Sequence, residues 1–489
     1  MKNINIQARK HFLLRMTFLA LPFTFAACDT DELLNPVPET SISDKNAFDT
    51  PERIQGQVNG LYDAMKSGQF YGGRLLMYNE IRGEEYINRL TNGVTGLQTW
   101  QQNVQSGTNE VQNLWGAAYA AINRINVFLQ GLEDNKAKID PALYAQYQAE
   151  AKFLRALAYH SLVTLYAKPY SADNGNSPGV PLRLQAETST ANNDLARSSV
   201  AQVYTQILKD LDEAESALPE SYATPALNTT RAHKNTAIAL KTRVYLHMGN
   251  YGKVIEEAQK IVTDVAPFTA PSGVAHALQA DVAVPFTDYT TTESVFSMPM
   301  SDLDAPGTQN QLGYYFNAAP VGNGEYFLST EGILNDAAWP ATDARKTKLV
   351  VTAGGNAYLA KFVKPAPFTD YVPVIRYAEV LLNYAEAAAR TGNLDKAVAL
   401  LSAVRGRSDA SYAFPAEAVA TQDALVNTIL TERRIELLGE GFRSLDITRT
   451  LQTFPEKTGS GISAPAVAPT STDYVWPMPN SELATNKAL

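Results

Sequence analysis

Acidic and basic side chains are most concentrated in residues 431–449. If this stretch is helical, Glu432 and Glu436 lie one turn apart on one face. Arg443 and Asp446 follow, three residues apart. Such arginines could bind an anion, but acidic and basic residues nearly balance here. The pattern therefore favours a structural ion-pair network over a binding site.

The sequence patterns of common catalytic sites are absent. There is no GxSxG, HExxH or Walker-type glycine loop. Glu84 and Glu85 come nearest to the paired carboxylates of a glycoside hydrolase, but adjacent residues point in different directions. A hydrolase would need two carboxylates that face each other across a cleft. We therefore predict a protein that is not an enzyme, with no catalytic residue, no metal ligands and no cofactor.

Composition excludes several further classes. The 489 residues include 41 basic and 50 acidic ones, a net charge of -9. Without a basic excess to neutralise phosphates, nucleic-acid binding is not expected. Cys28 is the single cysteine, so disulfide scaffolds and cysteine-based zinc sites are excluded.

The N-terminus has the pattern of an export signal. Basic residues are followed by an apolar run over 16–27 that ends in small residues and is too short to span a bilayer. We predict that residues 1–27 are a lipoprotein signal peptide and that Cys28 is lipidated. Residues 28–50, acidic and then broken by prolines, would be the lipid-anchored tether. An ordinary soluble export signal is the alternative.

The body is predicted to be mostly helical. Apolar residues recur at helical spacing in six stretches, namely 51–67, 111–131, 142–168, 199–217, 232–248 and 252–264. Residues 239–251 and 382–394 are also similar to each other. Each ends in Gly-Asn and is followed by an amphipathic stretch, the pattern of a tetratricopeptide-like helical hairpin. Two unrelated hairpins would be the alternative.

Residues 266–372 are rich in proline and threonine and carry short alternating runs, which predicts loops with a few short strands. We expect helices again over 373–450. The chain would thus consist of an N-terminal helical part, 51–265, and a C-terminal part, 266–489, intertwined in one domain.

Four separated stretches resemble the SusD/RagB family of Bacteroidetes outer-membrane lipoproteins. They occur in the order expected for that family, at residues 149–159, 374–387, 432–449 and 476–486. The resemblance covers essentially the whole chain after Cys28. It implies a mostly α fold with tetratricopeptide-like hairpins and an irregular, loop-rich binding region with minor β structure.

The family resemblance also implies a function and partners. Such proteins capture an oligosaccharide or polysaccharide at the cell surface and hand it to a SusC-like TonB-dependent β-barrel transporter. The protein would be held to the outer membrane by its lipid anchor. A peptide- or protein-binding lipoprotein of a RagB-type peptide importer is the alternative, and a charged groove would favour it.

Two segments carry the aromatic and polar side chains that recognise sugars by ring stacking and hydrogen bonding. The candidate ligand-binding residues are Tyr86, Asn88, Arg89, Trp100 and Asn103 in the first segment, and Tyr314, Tyr315 and Asn317 in the second. Trp100 lies among polar neighbours, so we expect its indole at the surface as a sugar platform. Exposed, coplanar aromatic rings would favour a glycan ligand.

Overall fold

Helices dominate the first half of the chain in the computed structural model, which describes residues 46–189, 191 and 193–489. The predicted signal peptide and Cys28 lie outside the described residues. The helices of this half are α1 (Pro51–Met65), α2 (Arg74–Ile81), α3 (Leu97–Trp100), α4 (Asn109–Asp134), α5 (Pro141–Tyr166), α6 (Val200–Ala217), α7 (Pro225–Thr230), α8 (Lys234–His247) and α9 (Tyr251–Ile261). All six predicted helices are present, with ends that shift by a few residues.

Local sequence sets where several of these helices begin. Thr50 accepts a hydrogen bond from the Arg53 amide at the start of α1, and Pro51 occupies the first turn. Asp140 caps α5 in the same way, again with a proline next in sequence. Ser199 and Gln202 form a reciprocal capping box on α6.

The second half mixes short elements with a C-terminal group of helices. Its helices are α10 (Val284–Thr287), α11 (Leu312–Phe316), α12 (Ala344–Leu349), α13 (Tyr377–Arg390), α14 (Leu394–Ser408), α15 (Ala416–Val419), α16 (Gln422–Glu436), α17 (Arg443–Arg449) and α18 (Asn480–Thr485). No helix among the described residues is both long and apolar enough to cross a membrane.

Short strands form antiparallel pairs. They are β1 (Tyr86–Asn88), β2 (Ser294–Met298), β3 (Tyr326–Leu328), β4 (Val350–Ala353), β5 (Asn356–Leu359), β6 (Val372–Arg376), β7 (Lys457–Gly459) and β8 (Ile462–Ala464), paired β1–β3, β2–β6, β4–β5 and β7–β8. The β1–β3 and β2–β6 pairs join distant parts of the chain, whereas β4–β5 and β7–β8 are local hairpins. The β1–β3 pair joins the first segment that the sequence singled out for ligand binding to a strand that begins nine residues after the second segment.

The two similar sequence stretches form matching hairpins, α8–α9 and α13–α14. Each turn has a glycine at positive φ, Gly249 at 69° and Gly392 at 86°, where a side chain would be strained. The next residue, Asn250 or Asn393, then caps the second helix with nearly the same backbone angles. Helix α13 packs against both α8 and α9, so the hairpins are neighbours although far apart in sequence.

A cluster of buried charges holds the C-terminal helices to the strands. We define the ion-pair cluster by its members, Glu293, Asp343, Arg345, Lys361, Arg376, Arg405, Arg407, Glu432, Glu436 and Glu440. Arg376 alone contacts Glu436 at 2.9 Å, Glu440 at 2.6 Å and also Glu293. The predicted structural role of the charged C-terminal stretch is thus confirmed.

The arginines of the ion-pair cluster keep its buried carboxylates ionised, as Glu436 shows. Burial would raise the pKa of Glu436, but the guanidinium groups of Arg407, Arg376 and Arg345 outweigh it and hold that pKa well below its usual value. Arg433 and Arg449 bracket Asp446 at 2.8 Å each just beyond the cluster. These arginines are therefore committed to carboxylates of the same chain.

Candidate functional site

Trp100 is buried, so the expectation that it is an exposed sugar platform was wrong. None of its surface is accessible to solvent, and its indole N–H donates to the Tyr86 carbonyl at 2.7 Å. The Lys457 ammonium lies 4.9 Å from the ring centroid. Polar neighbours in sequence suggested exposure, but two strands enclose the indole. Tyr86 of β1 lies 14 residues upstream, and β7 lies near the end of the chain.

Most of the other predicted aromatics and amides are also buried. Tyr86 packs its ring 4.9 Å from that of Phe316, and Asn88 accepts a hydrogen bond from the Thr91 amide at 2.7 Å. Tyr315 and Asn317 are buried as well, and the Tyr315 hydroxyl donates to the Gln309 carbonyl. A set of exposed, coplanar rings is therefore not formed by these residues.

Three of the predicted residues reach the surface. Arg89 and Asn103 are exposed and Tyr314 is half-buried. The Arg89 guanidinium donates to the carbonyl oxygens of Gly324 at 2.7 Å and Asn323 at 2.6 Å. Strand β1 thus delivers Arg89 beside the loop that precedes β3. Among the described contacts none joins Asn103 to this area.

Tyr314 is the centre of a group of polar and aromatic side chains. Its hydroxyl accepts hydrogen bonds from the side-chain amides of Gln309 at 3.3 Å and Asn323 at 3.0 Å. Its ring meets Phe368 edge-to-face, with centroids 5.9 Å apart. Phe368 and Asn323 are also half-buried. We call Arg89, Gln309, Tyr314, Asn323 and Phe368 the Tyr314 face.

Arg74 of α2 anchors the loops that carry this face. Its buried guanidinium donates to Asn310 Oδ1 at 2.7 Å, to the Gln309 carbonyl at 3.1 Å and to the Val94 carbonyl at 2.9 Å. Asp370 similarly fixes the Phe368 loop by accepting from the Val363 and Lys364 amides. The face is therefore irregular in backbone yet held from behind by buried charges.

Backbone strain and exposed apolar groups mark the same loops. Gln309 and Phe368 adopt φ of 59° and 60°, a conformation that costs non-glycine residues free energy and that clusters at functional sites. Large apolar side chains are exposed on the adjoining loops at Val94, Leu303, Val321 and Val363. Exposed apolar groups on strained, anchored loops are typical of an interaction surface.

Sequence inspection missed Gln309, Asn323 and Phe368. They lie in the loop-rich stretch 266–372 that the composition predicted, but no motif distinguishes them from other loop residues. Their roles depend on contacts across 5 to 54 residues of chain, which spacing alone does not reveal.

Glu84 and Glu85, the one acidic pair considered for hydrolysis, are bound by arginines. Arg434 contacts Glu84 at 3.0 Å and Glu85 at 2.7 Å, and Arg443 contacts Glu84 at 2.6 Å. Burial opposes ionisation of Glu84, but Arg443 and Arg434 still lower its pKa. The pair is thus positioned by ion pairing rather than across an open cleft.

The chain thus consists of helical hairpins that support an anchored face of aromatic, amide and guanidinium groups. The chain belongs to the SusD family, whose sequence profile matches residues 231–489. A second profile of that group, described as starch-binding and associating with the outer membrane, matches residues 32–246.

Individual relatives extend over nearly the whole chain. SusD-like protein P2 of Formosa agariphila is 26% identical, over 97% of this chain and 98% of its own. A SusD superfamily protein from Bacteroides fragilis has a crystal structure with a TM-score of 0.80 and 36% identity, covering 90% of this chain and 99% of that one. A laminarin-binding SusD-like protein shares the fold, with a TM-score of 0.69 and 21% identity over 90% of this chain and 98% of its own.

Proposed function

We propose that this protein binds oligosaccharides or polysaccharides at the cell surface through the Tyr314 face and does so without catalysis. The observation that carries the proposal is the half-exposed Tyr314 ring, flanked by Phe368 and by the amides of Gln309 and Asn323. Aromatic faces stack on the apolar side of sugar rings, and amides bond their hydroxyl groups. Membership in a family described as starch-binding supports the same ligand class.

The ligand is tested with a panel of soluble glucans, mannans and xylans against the chain from residue 29 onward. The panel includes starch and laminarin, which the matched profile and one structural neighbour name. We expect Tyr314→Ala to weaken binding of the best polysaccharide by about 1–3 kcal/mol, the range for aromatic anchors. Tyr144→Ala, at a half-buried tyrosine on α5, is the matched control and should bind like wild type. Equal binding by both variants would contradict the proposal.

We further propose that Cys28 carries the lipid anchor, with the protein facing the cell exterior on the outer membrane. The thiol directly follows the small residues that end the signal. Cys28→Ala should fold normally, because no disulfide is lost, and should leave the membrane fraction. Equal membrane retention of the variant and wild type would contradict a lipid anchor.

Handover to a SusC-like TonB-dependent β-barrel is the remaining part of the proposal. The family assignment supports it. Extraction of outer membranes in mild detergent, followed by purification of the tagged protein, should recover a β-barrel of that class in about equal amount. Recovery of the protein alone at every detergent tested would contradict a stable complex.

Peptide binding is a second candidate, favoured by a charged concavity elsewhere on the molecule. A cavity of about 610 Å³ is lined by Glu84, Glu331, Arg434, Glu456 and Lys457, among others. Glu331 and Glu456 are exposed, so the cavity would suit a basic peptide. Two results together would favour this function instead. The protein would bind lysine-rich peptides but no glycan, and the double variant Glu331→Gln with Glu456→Gln would lose the peptide binding.

A further inference from the structure

A second concavity lies between α16 and the loop that follows α14. Its volume is about 300 Å³, at the lower end of the range for small-ligand pockets. Tyr412 and Phe414 supply its aromatic wall, and Ala337 and Ala338 lie at its edge. The pocket shares no residue with the Tyr314 face, and the described contacts include none between the two.

The aromatic wall is fixed in place by the ion-pair cluster. The Tyr412 and Phe414 rings meet at 83° with centroids 5.2 Å apart. The Arg405 guanidinium lies 4.2 Å from the centroid of Tyr412. Arg405 is itself held by Glu432 at 2.8 Å and by the Ala338 carbonyl at 2.8 Å. A ring held in this way loses little conformational freedom when a ligand stacks on it.

Two polar groups of the pocket are free to bind a ligand. The side-chain amide of Asn427, which is exposed on α16, and the hydroxyl of Tyr412 make no hydrogen bond within the described part of the chain. The other two hydroxyls are already used, because Thr428 donates to the Ala418 carbonyl and Thr431 donates to the Asn427 carbonyl. Aromatic rings beside free amide and hydroxyl groups form the mixture that binds sugar rings.

We infer that this pocket is a second carbohydrate site, in which a pyranose ring stacks on one of the two rings of the aromatic wall, contacts the other at its edge and hydrogen bonds to Asn427. The inference rests on the proposed glycan ligand but uses residues separate from the Tyr314 face. A smaller cavity of about 150 Å³ adjoins the pocket and shares Asn427 and Thr431 with it. An oligosaccharide can therefore continue along α16 from the ring bound at Tyr412.

Two sites on one molecule have a consequence for polymers. A polysaccharide that reaches both sites gains from the high effective concentration of its second contact, whereas a short oligosaccharide does not. We expect the pocket to bind a short oligosaccharide more weakly than the whole protein binds the parent polysaccharide.

The two sites can be observed separately by fluorine NMR. The chain from residue 29 onward is labelled uniformly with 3-fluorotyrosine, and the signals are assigned with Tyr412→Phe and Tyr314→Phe. The probes are glucose, galactose, mannose and xylose, followed by maltoheptaose and laminarihexaose. We expect at least one probe to shift the Tyr412 signal in a saturable manner.

Blocking variants test whether the shift comes from the pocket. Ala337→Trp fills the edge of the pocket without removing a packed side chain, because Ala337 is exposed. The apparent dissociation constant obtained from the shift of the Tyr412 signal should rise at least tenfold in this variant. Ala341→Trp, at an exposed alanine four residues away that does not line the pocket, is the matched control and should leave it unchanged.

The outcomes distinguish this inference from the proposed function. A shift at Tyr314 with none at Tyr412 for any probe would overturn the second site and leave the first. A shift at Tyr412 that Ala337→Trp does not weaken would also overturn it. A shift at Tyr412 with none at Tyr314 would support the pocket and count against the Tyr314 face. No shift at either tyrosine would contradict both.

Discussion

The ion-pair cluster and the Tyr314 face use similar side chains in opposite ways. In the cluster, Arg376 and its carboxylate partners are buried and each charge meets its counterpart. At the face, Arg89 and Tyr314 keep part of their surface in water, and the backbone at Gln309 is strained. The cluster fixes the scaffold, and the face presents groups that a ligand can still contact. Charge density therefore identified the scaffold and not the binding surface.

The contrast has a physical origin. Charged side chains at helical spacing stand out in the sequence, as in residues 431–449, although Glu436 finds its partners at Arg345, Arg376 and Arg407. A ligand-binding loop needs only a few groups brought together by the fold, and these can come from anywhere in the chain. The arginines of residues 431–449 are thus conspicuous, whereas Phe368 is not.

Breaking the cluster should have the largest effect. Arg376→Met would remove the guanidinium that contacts Glu293, Glu436 and Glu440 together and would leave these buried carboxylates with fewer cations, which should cost about 3–5 kcal/mol of unfolding free energy. Urea denaturation measures this cost. The matched control is Lys253→Ala, which removes an exposed ion pair with Glu256 and should cost less than about 1 kcal/mol. Similar costs for the two variants would contradict the comparison.

Trp100→Ala should lower stability, as a variant of the ion-pair cluster does, and should not lower ligand affinity, as a variant of the Tyr314 face does. Removing a fully buried indole leaves a cavity and should cost about 3–5 kcal/mol of unfolding free energy. Any protein that remains folded should bind the polysaccharide like wild type. A stable variant with lost binding would restore Trp100 as a ligand residue.

The unfolding free energy should depend on pH because buried His276 is uncharged in the folded protein. Burial lowers the pKa of His276 to about 4, from 6.5 in the unfolded chain. The unfolded state therefore binds a proton below pH 6.5 that the folded state does not, and stability falls as the pH drops from 6.5 to 4. The expected loss is about 3 kcal/mol, at roughly 1.4 kcal/mol per pKa unit.

The control for this loss is the His276→Gln variant, whose unfolding free energy should depend less on pH in that window. His233 stacks on His276 with centroids 5.3 Å apart, and Tyr377 lies on it at 6.1 Å, so neither offers an acidic partner. Glu436 should contribute in a different window. Because its folded-state pKa is depressed, its stabilisation is lost only below about pH 4.5. Equal slopes for wild type and His276→Gln between pH 6.5 and 4 would contradict the assignment.

The smallest effect is expected from Tyr314→Phe. This change keeps the ring but removes the hydroxyl that accepts from Gln309 and Asn323, so the amides lose their fixed orientation. Polysaccharide affinity should fall by about 0.5–1.5 kcal/mol, the range for one hydrogen bond. Calorimetry of the variant beside Tyr314→Ala measures the difference. A larger loss than for Tyr314→Ala would show that the ring does not carry the contact.

The sequence by itself determined the six longer helices of the first half, the repeated hairpins and the structural role of the charged C-terminal stretch. These depend on spacing within one helix or turn, as in Thr50 with Pro51 or Gly392 with Asn393, and such local patterns are visible in the chain.

Tertiary structure alone decided which aromatic rings reach solvent. Trp100 has polar neighbours in sequence, yet Tyr86 and Lys457 enclose it. Tyr314 and Tyr315 are adjacent, yet one is half-buried and the other fully buried. Exposure depends on which distant segments pack against a side chain, and the residues beside it in sequence do not indicate which segments those are.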